Sequence, residues 1–276
     1  MVRLIAVGDI HLGRRASGVP DDLVAAYPHA QSPATVWQRT VDHAIRVEAD
    51  AVLLAGDVVE QEDDFFEAYG DLSAGVERLR QSGVAVLAVA GNHDVEVLPR
   101  LADSIPHVRL LGAGGRWERQ SVRGRDGTEV HVLGWSFPSK EVSASPLQSG
   151  IADAMVAVSP GTTTIGLLHC DRDQTHSRYA PVRSAELDAA PVDAWFLGHI
   201  HRPDSLEGPR PMGYLGSLAA LDVGEQGPHG PWDVAVAHGQ VTAEHLPMAP
   251  LRWERIDVEL DGTTTVAQIP GRIISA

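Results

Sequence analysis

The sequence is poor in cysteine and has no long apolar run. Cys170 is its single cysteine, which excludes an internal disulfide framework and a zinc site made of several thiolates. The longest apolar run, residues 84–90, is far too short to span a bilayer. The apolar N-terminus meets Asp9 and His11 within a few residues, which is unlike a signal peptide. We therefore expect a cytoplasmic protein that does not contact a membrane.

Basic residues are scarce relative to acidic ones. The chain has 37 Asp and Glu residues against 22 Lys and Arg residues, of which only Lys140 is a lysine, and its net charge is −15. Such a chain is not built to coat nucleic acid non-specifically. Two bound divalent cations would bring the net charge to −11 without reversing its sign. Carboxylates that hold metal ions are another use for the acidic residues.

Apolar runs and amphipathic segments alternate in the first hundred residues. Buried strands are expected at 4–7, 51–55 and 84–90. Ser32 and Pro33 are typical of a helix N-cap and first helical position. Residues 65–79 repeat at helical spacing, with Asp63 and Asp64 as an N-terminal charge pair. The alternation predicts a parallel sheet with right-handed crossovers.

The second half of the chain is less helical. Short strands are expected between Gly and Pro turns at 130–135, 164–168, 194–197, 214–215 and 234–237. The segment 136–160 resembles a loop with one short helix. We expect one domain over residues 1–250 and a C-terminal strand or tail over 251–276.

Polar side chains follow these strands at the point where each strand ends. In chain order they are Asp9-Ile10-His11, Gly56-Asp57, Gly91-Asn92-His93-Asp94, His169 and Gly198-His199-Ile200-His201. The carboxyl ends of parallel strands are where α/β sheets bind ligands. Carboxylate, imidazole and amide donors together suit manganese, iron or zinc. One such segment is typical of a turn, but five of them predict a shared metal site.

The other histidines do not follow this pattern and are expected to be ordinary core or surface residues. They are His29, His43, His107, His131, His176, His229, His238 and His245. His176 is the least clear of them, because it lies near Asp171 and Asp173. Cys170 is expected to be a small buried residue and not a nucleophile.

The order D-x-H, G-D, G-N-H-D, H and G-H-x-H over residues 9–201 resembles the calcineurin-like metallophosphoesterase superfamily. Within it the chain is most similar to the SbcD-type exonuclease subunits of bacterial DNA repair. That narrower resemblance depends on residues 9–13, on residues 193–203, and on Tyr214-Leu215-Gly216-Ser217 with Gly224-Glu225 and Gly230. The resemblance implies an α/β fold: a four-layer α/β/β/α sandwich of two mixed sheets, with the metal site at the strand C-terminal ends.

The resemblance also implies two divalent metal ions, with manganese expected and iron or zinc as alternatives. It assigns one ion to Asp9, His11 and His201, the other to Asn92, His169 and His199, and a bridging role to Asp57. A metal-activated hydroxide would attack the phosphodiester. His93 would stabilise or protonate the leaving oxygen, with Asp94 orienting its ring.

The implied function is that of a DNA exonuclease or endonuclease of the repair type. Arg14, Arg15 and Arg202 would contact backbone phosphates, unless they are ordinary solvated arginines. Glu60 departs from the family pattern, since many of these nucleases have His or Asp there. The sequence does not show the usual helices that bind an SbcC-like ATPase. We therefore expect either a truncated nuclease core, in which residues 251–276 would be the stump of a capping domain, or a protein that works without that partner. A homodimer is a further expectation.

Two alternatives use the same sequence features differently. A small-molecule phosphodiesterase, such as one for cyclic nucleotides, would need the same metal ligands, and the net charge of −15 favours it. A non-enzymatic scaffold would keep the fold without the chemistry, but no expected ligand is missing. The Leu12-Gly13 extension of the first motif and the stretch from Tyr214 to Gly230 favour the nuclease, which is the preferred interpretation.

Overall fold

The fold comes from a computed structural model that describes residues 1–60, 65–148, 150–155, 161–260 and 265–275. The predicted charge pair Asp63 and Asp64 lies outside the described residues. Regular structure in the described part comprises eleven strands and seven α-helices. The strands are β1 (Val2–Val7), β2 (Ala51–Leu54), β3 (Ala85–Ala88), β4 (Val108–Leu110), β5 (Trp117–Arg123), β6 (Glu129–Trp135), β7 (Thr163–His169), β8 (Ala194–Gly198), β9 (Met212–Tyr214), β10 (Trp232–Ala237) and β11 (Gln240–His245). The helices are α1 (Asp21–Ala26), α2 (Pro33–Arg46), α3 (Phe65–Gln81), α4 (Leu98–Ser104), α5 (Ile151–Met155), α6 (Ser184–Ala189) and α7 (Ile269–Ser275).

The strands form two mixed sheets. The first has the order β11-β10-β1-β2-β3-β4, in which β1 to β4 are parallel while β10 and β11 are antiparallel to their neighbours. The second has the order β5-β6-β7-β8-β9, with β6 to β9 parallel and β5 antiparallel. The expected parallel crossovers in the first half of the chain are confirmed.

The alternation of side chains along each strand divides the core into layers. In β1, Leu4 joins a buried cluster that contains Phe196 of the second sheet, so this cluster fills the space between the sheets. Ile5 points to the opposite face and joins a cluster with Trp37 of α2 and Leu72 of α3. A third cluster joins β7 and β8 to α5 and α6. The four-layer α/β/β/α sandwich is therefore confirmed.

Local sequence signals account for the helices that connect β1, β2 and β3. Pro33 occupies the first turn of α2 after Ser32 at the N-cap, although the Ser32 side chain makes no capping hydrogen bond. Gly83 follows α3 with a φ of +77°, a left-handed conformation that glycine adopts without steric cost. Both crossovers then return the chain to the same edge of the sheet.

The described part of the C-terminal segment forms no regular strand. The strand expected at the start of 251–276 is reduced to one isolated bridge between Trp253 and Gln226, and Ile269–Ser275 is helical. Ile256 and Leu260 belong to an alternating apolar pattern that is typical of a strand, but they are 56% and 52% exposed, so this face is not buried against a sheet. The domain boundary at 250 stays a prediction. In the described part of the chain, no helix is long and apolar enough to cross a membrane.

Candidate metal centre

The five polar segments converge at one edge of the sandwich. Within the described ranges, three groups of side chains have donor atoms that all lie within 4.8 Å of one another. The groups are Asp9, His11 and His201; Asp57, His169 and His199; and His11, Glu60 and His93. The first two groups share their members with the two predicted metal sites.

Site one, as named here, is the pocket between Asp9, His11 and His201. The two imidazoles face each other through their Nε2 atoms, which lie 3.0 Å apart. The Nδ1–H of His201 donates to Glu225 Oε1 at 2.6 Å, because a carboxylate can only accept. The Nε2 of His201 therefore presents a lone pair when the ring is neutral. His11 Nδ1 lies 2.7 Å from Glu60 Oε2.

Site two, as named here, is centred on the Nε2 atom of His169. This atom lies 3.3 Å from Asp57 Oδ2, 3.1 Å from Asn92 Oδ1 and 3.3 Å from His199 Nδ1. The Nδ1–H of His169 donates to the Ala55 carbonyl oxygen at 3.1 Å, since a carbonyl oxygen can only accept. Nε2 is thus the ring nitrogen aimed at the acceptor oxygens.

Both sites fit divalent cations. In each, lone pairs of nitrogen and oxygen converge to about hydrogen-bonding distance while the protons of the rings are used elsewhere. Such an arrangement is stable only when a proton or a cation lies between the donor atoms. Nitrogen and oxygen ligands without a thiolate are those that manganese, iron and catalytic zinc accept. The ligand assignments and the bridging role of Asp57 stay predictions.

Three of the predicted ligands have a left-handed backbone. The φ angles are +53° for His11, +47° for Asp57 and +101° for His199. Residues other than glycine adopt such angles at a cost on the order of 1 kcal/mol or more, and they concentrate at functional sites. Neighbouring hydrogen bonds hold them in place: the Ile10 and His11 N–H groups donate to the Asp57 carbonyl oxygen at 3.0 Å each.

The glycines in the motifs make room for the ligands. A Cβ atom on Gly91 would lie 2.1 Å from Asp57 Oδ1, and one on Gly198 would lie 2.8 Å from His169 Nδ1. Real Cβ atoms do not approach other atoms so closely. The glycine in G-N-H-D and the glycine in G-H-x-H are therefore required by space and not only by the turn.

His93 lies at the exposed mouth of the centre, with its ring centroid 5.3 Å from that of His11. Its backbone N–H donates to Asp57 Oδ1 at 3.0 Å. Its Nδ1–H donates to the Glu60 carbonyl oxygen at 3.0 Å, which leaves Nε2 available to a substrate.

The role predicted for Asp94 in orienting the His93 ring is wrong. Both Asp94 oxygens accept backbone N–H groups instead, from Gly91 at 2.8 Å and from Val58 at 2.7 Å. Asp94 is completely buried and ties the loop after β3 to the loop after β2. The Glu60 carbonyl oxygen takes over the orienting contact.

Buried charges determine the electrostatics of the centre. Burial raises the pKa of Asp57, but the neighbouring histidines, His169 foremost, bring it well below its usual range. Burial lowers the pKa of His169, but Asp57, Asp9 and Asp94 outweigh it and raise that pKa to about 9. Burial and the charge of Asp57 raise the pKa of Asp94 to about 7. Asp9, Asp57 and Asp94 together favour a positive charge next to them. A proton on His169 supplies that charge when no cation is bound.

The predicted substrate contacts and the cysteine lie around this centre. Arg14 is part-exposed, with its guanidinium 3.7 Å from Glu60 Oε2, while Arg15 and Arg202 are exposed. Their contact with DNA stays a prediction. Cys170 is fully buried, and burial raises the pKa of its thiol, so the expectation of an inert core residue is confirmed.

Three carboxylates at the centre were not predicted to act there. Glu60 lies against His11, Glu225 accepts from His201, and Asp171 Oδ1 lies 3.4 Å from His199 Nε2. Each one meets the outward nitrogen of a predicted ligand. The only signals in the sequence were the position of Glu60 three residues after Asp57 and the similarity of the segment containing Glu225 to nuclease sequences.

Comparison with known proteins agrees with this geometry. Residues 2–203 match the calcineurin-like phosphoesterase family. The chain is 26% identical over 266 residues to the metallophosphoesterase YhaO of Bacillus subtilis (strain 168), and the aligned region covers 93% of this chain and 62% of YhaO. It is 24% identical over 295 residues to the DNA double-strand break repair protein Mre11 of Haloferax volcanii, which covers 99% of this chain and 58% of Mre11. The chain therefore spans between 58% and 62% of the length of these curated relatives.

Among solved structures, the fold is similar to that of a dimetal phosphatase from Danio rerio, with a TM-score of 0.51 and 10% identity over 88% of this chain and 98% of that chain. At this identity the likeness concerns the fold. The family match is independent of it and contains every predicted metal ligand, from Asp9 to His201. With its two mixed sheets and the donor groups at their edge, the chain belongs to the calcineurin-like phosphoesterase family.

Proposed function

We propose that this protein is a dinuclear-metal phosphodiesterase that acts on DNA, with an exonuclease or endonuclease activity of the repair type. The observation that carries the proposal is the pair of adjacent donor groups with the exposed His93 at their mouth. A phosphodiester bound there would have cation sites on one side and a potential proton donor for its leaving oxygen on the other.

Two bound divalent cations would supply an activated water and neutralise charge on the phosphate oxygens. The protein's own residues do the rest. Asp9 and Asp57 supply buried negative charge that attracts cations, and the fixed backbone of His93 aims Nε2 outward. Protonated His93 would donate to the leaving oxygen, a contribution of about 100- to 10,000-fold in rate for general acids.

DNA is proposed as the substrate because the relatives include an Mre11 repair protein aligned over 99% of this chain. The part-exposed Arg14 and the exposed Arg15 and Arg202 offer guanidinium groups for backbone phosphates. The net charge of −15 favours a second candidate, a phosphodiesterase for small molecules such as cyclic nucleotides, since a small substrate does not need an extended basic surface.

The test is a side-by-side hydrolysis assay with manganese. The substrates are end-labelled single-stranded DNA, duplex DNA ends, DNA hairpins, cyclic nucleotides, bis(p-nitrophenyl) phosphate and the monoester p-nitrophenyl phosphate. We expect cleavage of DNA and faster hydrolysis of the diester than of the monoester. Efficient cleavage of a cyclic nucleotide with every DNA substrate intact would reject DNA as substrate and favour the second candidate.

Two variants distinguish the protein's own activity from that of contaminating nucleases. Asp57→Asn should abolish DNA cleavage, because it removes the buried charge between the two donor groups. The exposed His29→Gln, which lies outside the centre, should cleave like the unaltered protein. Equal cleavage by Asp57→Asn would mean that the activity does not belong to this site.

A further inference from the structure

Glu225 contacts the outward face of a predicted metal ligand. Its Oε1 atom accepts the Nδ1–H of His201 at 2.6 Å, on the opposite side of the ring from the Nε2 that faces His11. The Glu225 side chain is only 11% exposed, so water competes little for this hydrogen bond. A buried, charge-assisted contact of this length fixes both the rotation and the tautomer of an imidazole.

A second layer of hydrogen bonds fixes Glu225 itself. Its Oε2 atom accepts the Ser217 hydroxyl at 3.0 Å and the Leu221 N–H at 2.9 Å. His229, only 2% exposed, places Nδ1 3.0 Å from the Ser217 hydroxyl and Nε2 3.2 Å from the Glu225 carbonyl oxygen. Both Glu225 oxygens therefore have partners, and the carboxylate has little freedom to leave His201.

The segment that carries this network is bound to site one through its backbone as well. The Ser217 N–H donates to the His201 carbonyl oxygen and the Leu218 N–H donates to the Asp9 carbonyl oxygen, both at 2.8 Å. The segment lies beyond residue 203, where the family match ends. Site one is thus supported from a part of the chain that the metal motifs do not include.

The two sites differ in the groups behind their histidines. At site one the outward nitrogen of His201 donates to Glu225, whereas His11 Nδ1 lies 2.7 Å from Glu60 Oε2 without forming a hydrogen bond. At site two the outward nitrogen of His169 faces the neutral Ala55 carbonyl. The outward nitrogen of His199 lies 3.4 Å from Asp171 Oδ1, which is farther than the 2.6 Å contact between His201 and Glu225. A carboxylate behind an imidazole makes its other nitrogen a stronger ligand than a carbonyl does, and removal of such a group typically lowers metal affinity 10- to 100-fold.

We propose that Glu225 is a positioning residue for site one: held by Ser217 and His229, it fixes the metal-binding tautomer of His201 and makes site one the tighter of the two cation sites. The proposal depends on the proposed function only in that site one binds a divalent cation. It assigns to Glu225 and His229 a role that the metal motifs do not contain.

The test is a manganese titration of the purified, metal-free chain, with free Mn²⁺ measured by electron paramagnetic resonance. The unaltered protein should bind two ions, one tighter than the other. Glu225→Gln keeps the shape of the side chain and removes its charge, and it should raise the Kd of the tighter ion about tenfold or more. The Kd of the weaker ion should change less than about threefold. Glu244→Gln makes the same chemical change on the exposed face of β11 and should leave both values unchanged.

A merely structural role of Glu225 predicts a different result: a lower Tm with both Kd values as in the unaltered protein. That result would overturn the proposal. Should Glu225→Gln fail to fold, Ser217→Ala removes the hydroxyl contact that holds Glu225 and should still weaken the tighter site. An unchanged Kd in that variant would contradict the proposal. Because the titration uses no DNA, its result does not depend on whether the protein cleaves DNA. Conversely, a failure of the Glu225 proposal would not affect the proposal that DNA is the substrate.

Discussion

Some side chains at the centre are held between buried charged groups, whereas others are exposed where a substrate would bind. The backbone N–H of His199 donates to Asp9 Oδ1 at 3.0 Å and to Asp9 Oδ2 at 3.1 Å. The His199 ring lies between His169 and Asp171, so the residue is fixed on three sides. His93 is exposed and is anchored through its backbone and one ring nitrogen. The two histidines should therefore respond differently to the same substitution.

His93→Gln should lower turnover about 100-fold while two metal ions remain bound, because a group that acts on the leaving oxygen stabilises mainly the transition state. His199→Gln should lose a metal ion and activity together. Metal analysis of both variants, combined with kcat and KM for bis(p-nitrophenyl) phosphate, separates the two effects. Loss of a metal ion in His93→Gln would mean that His93 is a ligand. Full activity of that variant would mean that another acid protonates the leaving oxygen.

Among the elements, the loops that follow β2 and β3 are packed so closely that a single methyl group should disturb them. Gly91→Ala places its Cβ 2.1 Å from Asp57 Oδ1, so either the loop or the carboxylate must move. We expect a loss of about 2 kcal/mol in the free energy of unfolding, as for other overpacked buried sites, together with weaker metal binding.

Gly70→Ala is the matched control for that variant. Gly70 lies in α3 with no atom within 4 Å of the added Cβ, and alanine should stabilise the helix by roughly 0.5–1 kcal/mol. Urea unfolding and metal analysis of both variants check the pair. If Gly91→Ala had the same stability and metal content as the unaltered protein, the loop would have room for the added methyl group, which would contradict the close packing described here.

The elements also show what could be predicted from the sequence. The buried strands β1, β2 and β7 carry continuous apolar runs, so their ends and the ligands after them were identified. The edge strands β5 and β11 were missed, because their mostly exposed or half-buried side chains leave no apolar alternation to detect. The contact of Glu225 with His201 joins residues 24 positions apart across irregular loops, and no periodic pattern predicts such a contact.

At the scale of the whole molecule, the electrostatics of the buried centre should link stability to pH and to metal. In the metal-free protein the pKa of His169 is raised to about 9 from the ordinary 6.5. A raised folded-state pKa stabilises the protein below the unfolded pKa, and this stabilisation is lost as the pH rises through the folded one. Asp94, with a pKa raised to about 7, acts in the same direction at lower pH.

We therefore expect the Tm of chelator-treated protein to fall as the pH rises from about 6.5 to 9, with His169 contributing on the order of 3 kcal/mol. Manganese replaces the proton, so the Tm gained on adding manganese should grow over the same range. Differential scanning calorimetry with and without the metal checks both trends. A metal-free Tm that does not change over this range, or a gain from manganese that shrinks with pH, would contradict the electrostatic account.

Two cations are proposed to bind on either side of Asp57, and anomalous diffraction from crystals of the manganese-loaded protein locates them. We expect two peaks per chain, one beside Asp9, His11 and His201 and the other beside Asn92, His169 and His199, with Asp57 between them. A single peak, or peaks away from Asp57, would contradict this proposal.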